Sequence, residues 1–100
     1  SQRWGKDDGP YARTKRALLS ETRKAAALFA ETLRVNAVAP GFIDTDMMGA
    51  MTQDVIDRNL AQSRLGRMGR PEEVARLVAY LASDDASYMT GEVVRITGGL

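Results

Sequence analysis

Two short apolar runs, "VNAVAPG" at residues 35–41 and "EVVRIT" at residues 92–97, constrain this chain more than anything else in it. In the first, Val35, Ala37 and Ala39 alternate with Asn36 and Val38 before Pro40-Gly41 ends the run. The second is rich in β-branched residues and stops before Gly98-Gly99. Both read as strands, the first with apolar residues on both faces. Between them lies "RPEEVARLVAYLAS", where Pro71 suits a first helical turn and Glu72 and Glu73 complement the positive end of a helix. Val74, Leu77, Val78 and Leu81 form a stripe at helical spacing. A strand, a helix and a strand in that order predict a right-handed parallel crossover. Two parallel strands cannot cover their own faces and edges, so the pattern predicts the carboxy-terminal part of a larger α/β sheet.

Residues 11–30 hold no Gly or Pro and consist of strong helix formers. Ala12, Leu18, Leu19, Ala25, Ala26, Leu28 and Phe29 recur at helical spacing and are the expected buried face. The opening "SQRWGKDDGP" reads as loop with Trp4 exposed. From Phe42 to Gly69 the chain reads as a lid or binding loop containing a small helix near Gln53–Gln62. The order is helix, strand, lid, helix, strand, and 100 residues allow one domain at most.

Composition narrows the chemistry. Cysteine and histidine are absent, which removes disulfides, thiolate nucleophiles, imidazole bases and the usual zinc ligands, so no metal site is expected. A net charge of +1 with acids and bases interspersed gives no case for nucleic acid. No apolar run approaches the ~18 residues of a membrane span, and no charged-then-apolar leader opens the chain, which reads as cytoplasmic. A start at Ser1 instead of Met reads as a cut end.

Any acid/base catalysis must then use Tyr, Lys, Ser, Asp or Glu. Tyr11 and Lys15 stand four residues apart at the start of the first helix, and so share one face. A free phenol, with a pKa near ~10, is a poor proton acceptor at neutral pH, and a neighbouring ammonium lowers that value by favouring phenolate. Such a phenol can protonate a carbonyl oxygen, or deprotonate an alcohol, while hydride moves at carbon. The spacing alone arises by chance in about one chain in ten of this composition, so two ordinary residues on a helix remain the alternative.

"YARTKRAL", followed by "RVNAVAPGFIDTDM" and "GRPEEVARLVAYLASDDASYMTGEVVRITGG", resembles the carboxy-terminal half of the short-chain dehydrogenase/reductase family over residues 9–99. The resemblance implies the carboxy-terminal portion of a Rossmann-type doubly wound parallel sheet, a partial domain spanning residues 1–100 with its amino-terminal half absent. It implies NAD or NADP as cofactor and a small-molecule carbonyl or alcohol as substrate. The full-length protein would be a homodimer or homotetramer, assembled through the long helix and the last strand. Tyr11 matches the catalytic acid/base, and Lys15 the lysine that tunes it and hydrogen-bonds the nicotinamide ribose. Pro40 and Gly41 match the turn beside the nicotinamide. Ile43 would offer backbone contacts to the carboxamide, and Thr45 a hydroxyl to the carboxamide or phosphate.

Plainer roles compete at each position: Pro40-Gly41 as strand terminator, Ile43 as core contact, Thr45 as helix cap. Asn36 reads as structural, its amide tying down neighbouring backbone. Met47, Met48 and Met51 fall in the family's mobile substrate loop, where thioethers suit an adaptable wall, although packing filler is their commoner use. The chain also departs from the family. It has no glycine-rich phosphate loop, and Ser1, ten residues before Tyr11, is the one candidate for the family's catalytic serine. Thr97 stands where many relatives carry an acid. The isolated chain is therefore expected to be inactive. The competing expectation is a truncated, non-catalytic chain that acts only in oligomerisation.

Overall fold

The structure, a computed structural model, describes residues 10–99, with the backbone alone described at Pro10, Tyr11, Met47 and Met48. Ser1 and Trp4 lie outside the described residues. The elements are helix α1 (Pro10–Leu28), strand β1 (Ala37–Pro40), helix α2 (Gln53–Gln62), helix α3 (Pro71–Ala82) and strand β2 (Val93–Ile96). Short 3-10 turns occupy Asp46–Ala50 and Asp84–Ala86. The expected order of helix, strand, lid, helix and strand is present. Pro10 and Pro71 both open helices, where a fixed φ is already helical and the missing N–H had no partner to lose.

β1 and β2 pair in parallel: the Ala37 N–H donates to Glu92 O and the Gly41 N–H to Ile96 O, each at 2.9 Å. In this register the odd-numbered residues of β1 donate toward β2, and the nitrogen of Pro40 falls on the opposite edge. A residue without an N–H therefore ends the strand without breaking its pairing.

The chain divides into two compact units. The first comprises the described residues up to Ala37 together with Ala86–Val94. Its helix α1 buries Ala12, Lys15, Thr22 and Ala26, whereas Leu28 is 77% exposed and Phe29 42% exposed. Leu18 is also exposed, so of the expected face Ala12 and Ala26 are buried, Leu19 and Ala25 are half-buried, and Leu18, Leu28 and Phe29 are not covered. Close approach explains the difference: a Cβ at Gly91, whose φ is +75°, would meet the Ala26 Cβ at 3.5 Å. Small residues fit that seam and leucines do not. Thr22 satisfies its buried hydroxyl within the helix, donating to Leu18 O at 2.7 Å.

The loop before β2 is held by two side chains of the segment before β1. Arg34 Nη1 donates to Ala86 O (2.8 Å) and Met89 O (3.1 Å). Asn36 Nδ2 donates to Met89 O at 3.0 Å, and Asn36 Oδ1 accepts the Glu92 N–H at 3.1 Å. The structural role read for Asn36 is thus present, its amide gripping the loop at two points. Asn36→Ala leaves one donor and one acceptor to find other partners and is expected to cost about 1–2 kcal/mol. A denaturant midpoint unchanged by that substitution in the intact gene product would show that solvent replaces both bonds.

The second unit comprises Val38–Asp85 and the residues from Arg95 onward. Helix α2 lies within the expected lid, with Thr52 as its N-cap accepting the Val55 N–H at 3.4 Å. Of the stripe on α3, Leu81 is buried, Val74 and Leu77 are half-buried and Val78 is exposed. In β1 only Ala39 is buried, and Val38 is half-exposed. A two-stranded sheet does not supply the second covered face that the apolar run of β1 anticipates.

Candidate active site

Tyr11 and Lys15 lie in the first two turns of α1, in the first unit. The side chain of Tyr11 lies outside the described atoms, but its place on the helix sets it on the face that carries Lys15. Lys15 is only 8% exposed. Lysines are among the residues least often buried, because the ammonium loses hydration that only polar partners can replace. Helix α1 therefore holds a lysine inside its otherwise small-residue seam, one turn from the tyrosine.

Pro40, Gly41, Ile43 and Thr45 lie in the second unit, at and beyond the carboxyl end of β1. Pro40 is exposed, and the amide of Gly41 extends the pairing with β2 by one bond. Ile43 forms an isolated parallel bridge with Gly69. The Gly69 N–H donates to Phe42 O at 2.9 Å and the Asp44 N–H donates to Gly69 O at 2.8 Å. In a parallel bridge the residues on either side of the bridged one make the bonds, so the N–H and C=O of Ile43 turn to the opposite edge of the segment. Thr45 is exposed and immediately precedes the 3-10 turn Asp46–Ala50, the position of a helix cap. Met51 is half-buried, and the side chains of Met47 and Met48 lie outside the described atoms.

The bridge involves a residue the sequence did not single out. A Cβ on Gly69 would lie 2.8 Å from Ile43 Cδ1, the movable end of that side chain, and 3.8 Å from Phe42 O, an ordinary contact with the backbone. Glu73, in the first turn of α3, reaches back to this loop: its Oε1 accepts the Arg70 N–H at 2.9 Å. Arg67 grips the same carboxylate with both terminal nitrogens, at 2.8 and 3.0 Å. Chiefly through the Arg67 hydrogen bonds, and next through the Arg70 backbone N–H, the Glu73 carboxyl falls from 4.5 to about 2. The same hydrogen bonds raise the pKa of the Arg67 guanidinium.

A lowered folded-state pKa means that the stabilisation from this pair is fully present above about pH 4.5 and is lost as pH falls through about 2. A carboxyl titration of Glu73 followed by NMR is expected to show its midpoint near 2. A midpoint near 4.5 would contradict the bidentate geometry.

A cleft of about 80 Å³ borders this bridge, lined by Ile43, Leu65, Arg67, Gly69, Glu73 and Ile96 among others. Sites for drug-sized ligands run to roughly 300–1,000 Å³, so it is too small for a dinucleotide. Among the described residues no cluster of acids could hold a metal ion, and no helix is long and apolar enough to cross a membrane.

A family profile described as enoyl-(acyl carrier protein) reductase matches residues 1–100, the whole chain. The chain belongs to the short-chain dehydrogenase/reductase family. It is 45% identical over 91 residues to a 3-oxoacyl-[acyl-carrier-protein] reductase of Thermotoga maritima, covering 90% of this chain and 37% of that protein. It is 42% identical over 90 residues to the cis-4-hydroxycyclohexanecarboxylate dehydrogenase of Sinomonas cyclohexanicum, covering 89% and 36%. The crystal structure of a 3-oxoacyl-[acyl-carrier protein] reductase from Brucella melitensis superposes with a TM-score of 0.83 at 36% identity, over 97% of this chain and 38% of that one. The chain thus spans little more than a third of the length of the relatives it matches. Its helices and parallel strands are a portion of the Rossmann-type fold of this family, as the motifs implied.

The residues present fit the nicotinamide end of a dinucleotide. Ligands of open parallel sheets bind beyond the carboxyl ends of the strands, where Gly41, Ile43 and Thr45 lie. Ile43 directs its backbone N–H and C=O to the edge away from Gly69.

Proposed function

We propose that this chain is the carboxy-terminal portion of a NAD- or NADP-dependent oxidoreductase that interconverts a carbonyl and an alcohol, and that it carries the proton-transfer half of the active site. The observation that most supports the reading is the burial of Lys15 one helical turn from Tyr11. A lysine taken out of water at that spacing is costly for packing and useful for acid/base chemistry.

In reduction, the Tyr11 hydroxyl gives its proton to the carbonyl oxygen; in oxidation, its phenolate accepts the proton of the alcohol. A nicotinamide held at this site would supply or accept the hydride at carbon. Lys15 favours the phenolate through its positive charge and donates a hydrogen bond to the nicotinamide ribose. Pro40 and Gly41 would turn the chain beside the ring, the backbone of Ile43 would hold the carboxamide, and Thr45 would offer its hydroxyl to the carboxamide or phosphate. In such an enzyme the phosphate-gripping residues belong to the amino-terminal half of the domain, which these 100 residues do not match.

The proposal includes a homodimer or homotetramer for the full-length protein. Leu28, Phe29 and Leu33 at the end of α1 are exposed apolar residues, and a second copy would cover them.

The test uses the intact gene product with NADH and NADPH against two substrate classes, 3-oxoacyl thioesters and cyclic hydroxy acids, which correspond to the named activities of the relatives. Saturable dinucleotide binding with turnover of a carbonyl–alcohol pair is expected. An intact protein that assembles but binds neither dinucleotide would favour the oligomerisation-only alternative.

A further inference from the structure

We propose that Arg67 and Glu73 are positioning residues for the segment Phe42–Asp44, acting through the two peptide groups that flank Gly69. The inference rests on the dinucleotide reading, since it assigns this segment's backbone to the nicotinamide carboxamide.

The bonding follows both peptide groups from end to end. In the peptide joining Met68 and Gly69, the carbonyl of Met68 accepts Arg67 Nη1 at 3.1 Å, and the N–H of Gly69 donates to Phe42 O at 2.9 Å. In the peptide joining Gly69 and Arg70, the carbonyl of Gly69 accepts the Asp44 N–H at 2.8 Å, and the N–H of Arg70 donates to Glu73 Oε1 at 2.9 Å. Each peptide plane is therefore held at one end by a member of the ion pair and at the other by the Ile43 segment. The two members are locked to each other by the bidentate contact between Arg67 and Glu73.

This arrangement exceeds what a helix cap needs. A glutamate at the third helical position caps the helix by accepting one backbone N–H. Here the same carboxylate also fixes Arg67, which in turn holds a carbonyl outside the helix. Hydrogen bonds in series polarise one another, so charge at Glu73 strengthens the bonds that Gly69 makes to Phe42 and Asp44. Two independent bonds also fix the orientation of the segment, which sets the direction of the Ile43 N–H and C=O on its far edge. Loosening the pair lets those groups swing, and small misplacements of positioning groups are costly in enzymes.

The experiment compares wild-type, Glu73→Gln and Glu73→Ala forms of the intact gene product. Dinucleotide Kd is measured by fluorescence of NADH and NADPH, steady-state kinetics by dinucleotide oxidation, and Tm by calorimetry. Glu73→Ala removes both the ion pair and the acceptor for Arg70, and is expected to raise Kd and KM for the dinucleotide about tenfold with kcat within about twofold. Glu73→Gln keeps an acceptor oxygen and should give an intermediate shift of about threefold. A purely structural role lowers Tm and leaves Kd of the folded protein unchanged, and that result would overturn the inference while the functional reading stands. A wild-type protein that binds neither dinucleotide would overturn both.

Discussion

Replacing Tyr11 by Phe in the intact gene product is expected to lower turnover about 10²–10⁴-fold, the usual range for loss of a positioned general acid or base. Dinucleotide affinity should change little. The substitution removes a single oxygen, and phenylalanine keeps the ring and the helix propensity of the first turn of α1. The contrast between lost turnover and retained binding separates a proton-transfer role from a packing role. A tyrosine that serves only as filler would tolerate Phe in both measurements. Comparable turnover in the variant would remove Tyr11 from the mechanism.

Lys15→Met is expected to separate stability from activity in the second way open to this site. Methionine has nearly the length of lysine and keeps the packing at a position only 8% exposed, so the variant is expected to fold and its activity can be read per folded molecule. Turnover should fall about 10²-fold or more at neutral pH, because the phenol loses the neighbouring charge that favours phenolate. The pH for half-maximal alcohol oxidation should move upward, toward the ordinary phenol value of ~10. Dinucleotide affinity should also weaken, since the ribose loses a charged donor. A variant that unfolds but keeps its activity per folded molecule would reverse the assignment.

Much of the fold was legible because its signals are local. Pro71 with the glutamates after it marked α3, the β-branched run marked β2, and Pro40-Gly41 marked the end of β1. Asn36 could be read as structural because a short amide beside a strand has few uses other than bonding backbone. The buried face of α1 was read correctly at Ala12 and Ala26 but not at Leu18, Leu28 and Phe29, which hydrophobicity favoured; at Ala26 the close approach of Gly91 suits a small residue. Periodicity locates a helix, but the shape of its neighbour decides which stripe is buried.

The site was legible in part for a similar reason. Tyr11 and Lys15 belong to one helix, so their spacing states their relation. The bridge between Ile43 and Gly69 joins residues 26 positions apart, and nothing local announces it. Glu73 was visible only as an acid complementing a helix dipole, since its partner Arg67 lies across a loop whose path the sequence does not disclose.

The central claim is that Tyr11 supplies the proton in a hydride-transfer reaction. Its most direct test is isotope transfer with the intact gene product, using reduced dinucleotide deuterated at the transferable position and a carbonyl substrate that it turns over. Mass spectrometry of the alcohol should show one deuterium at the former carbonyl carbon with wild-type protein and essentially no labelled product with Tyr11→Phe over the same time. Equal labelling by the two proteins would contradict the account.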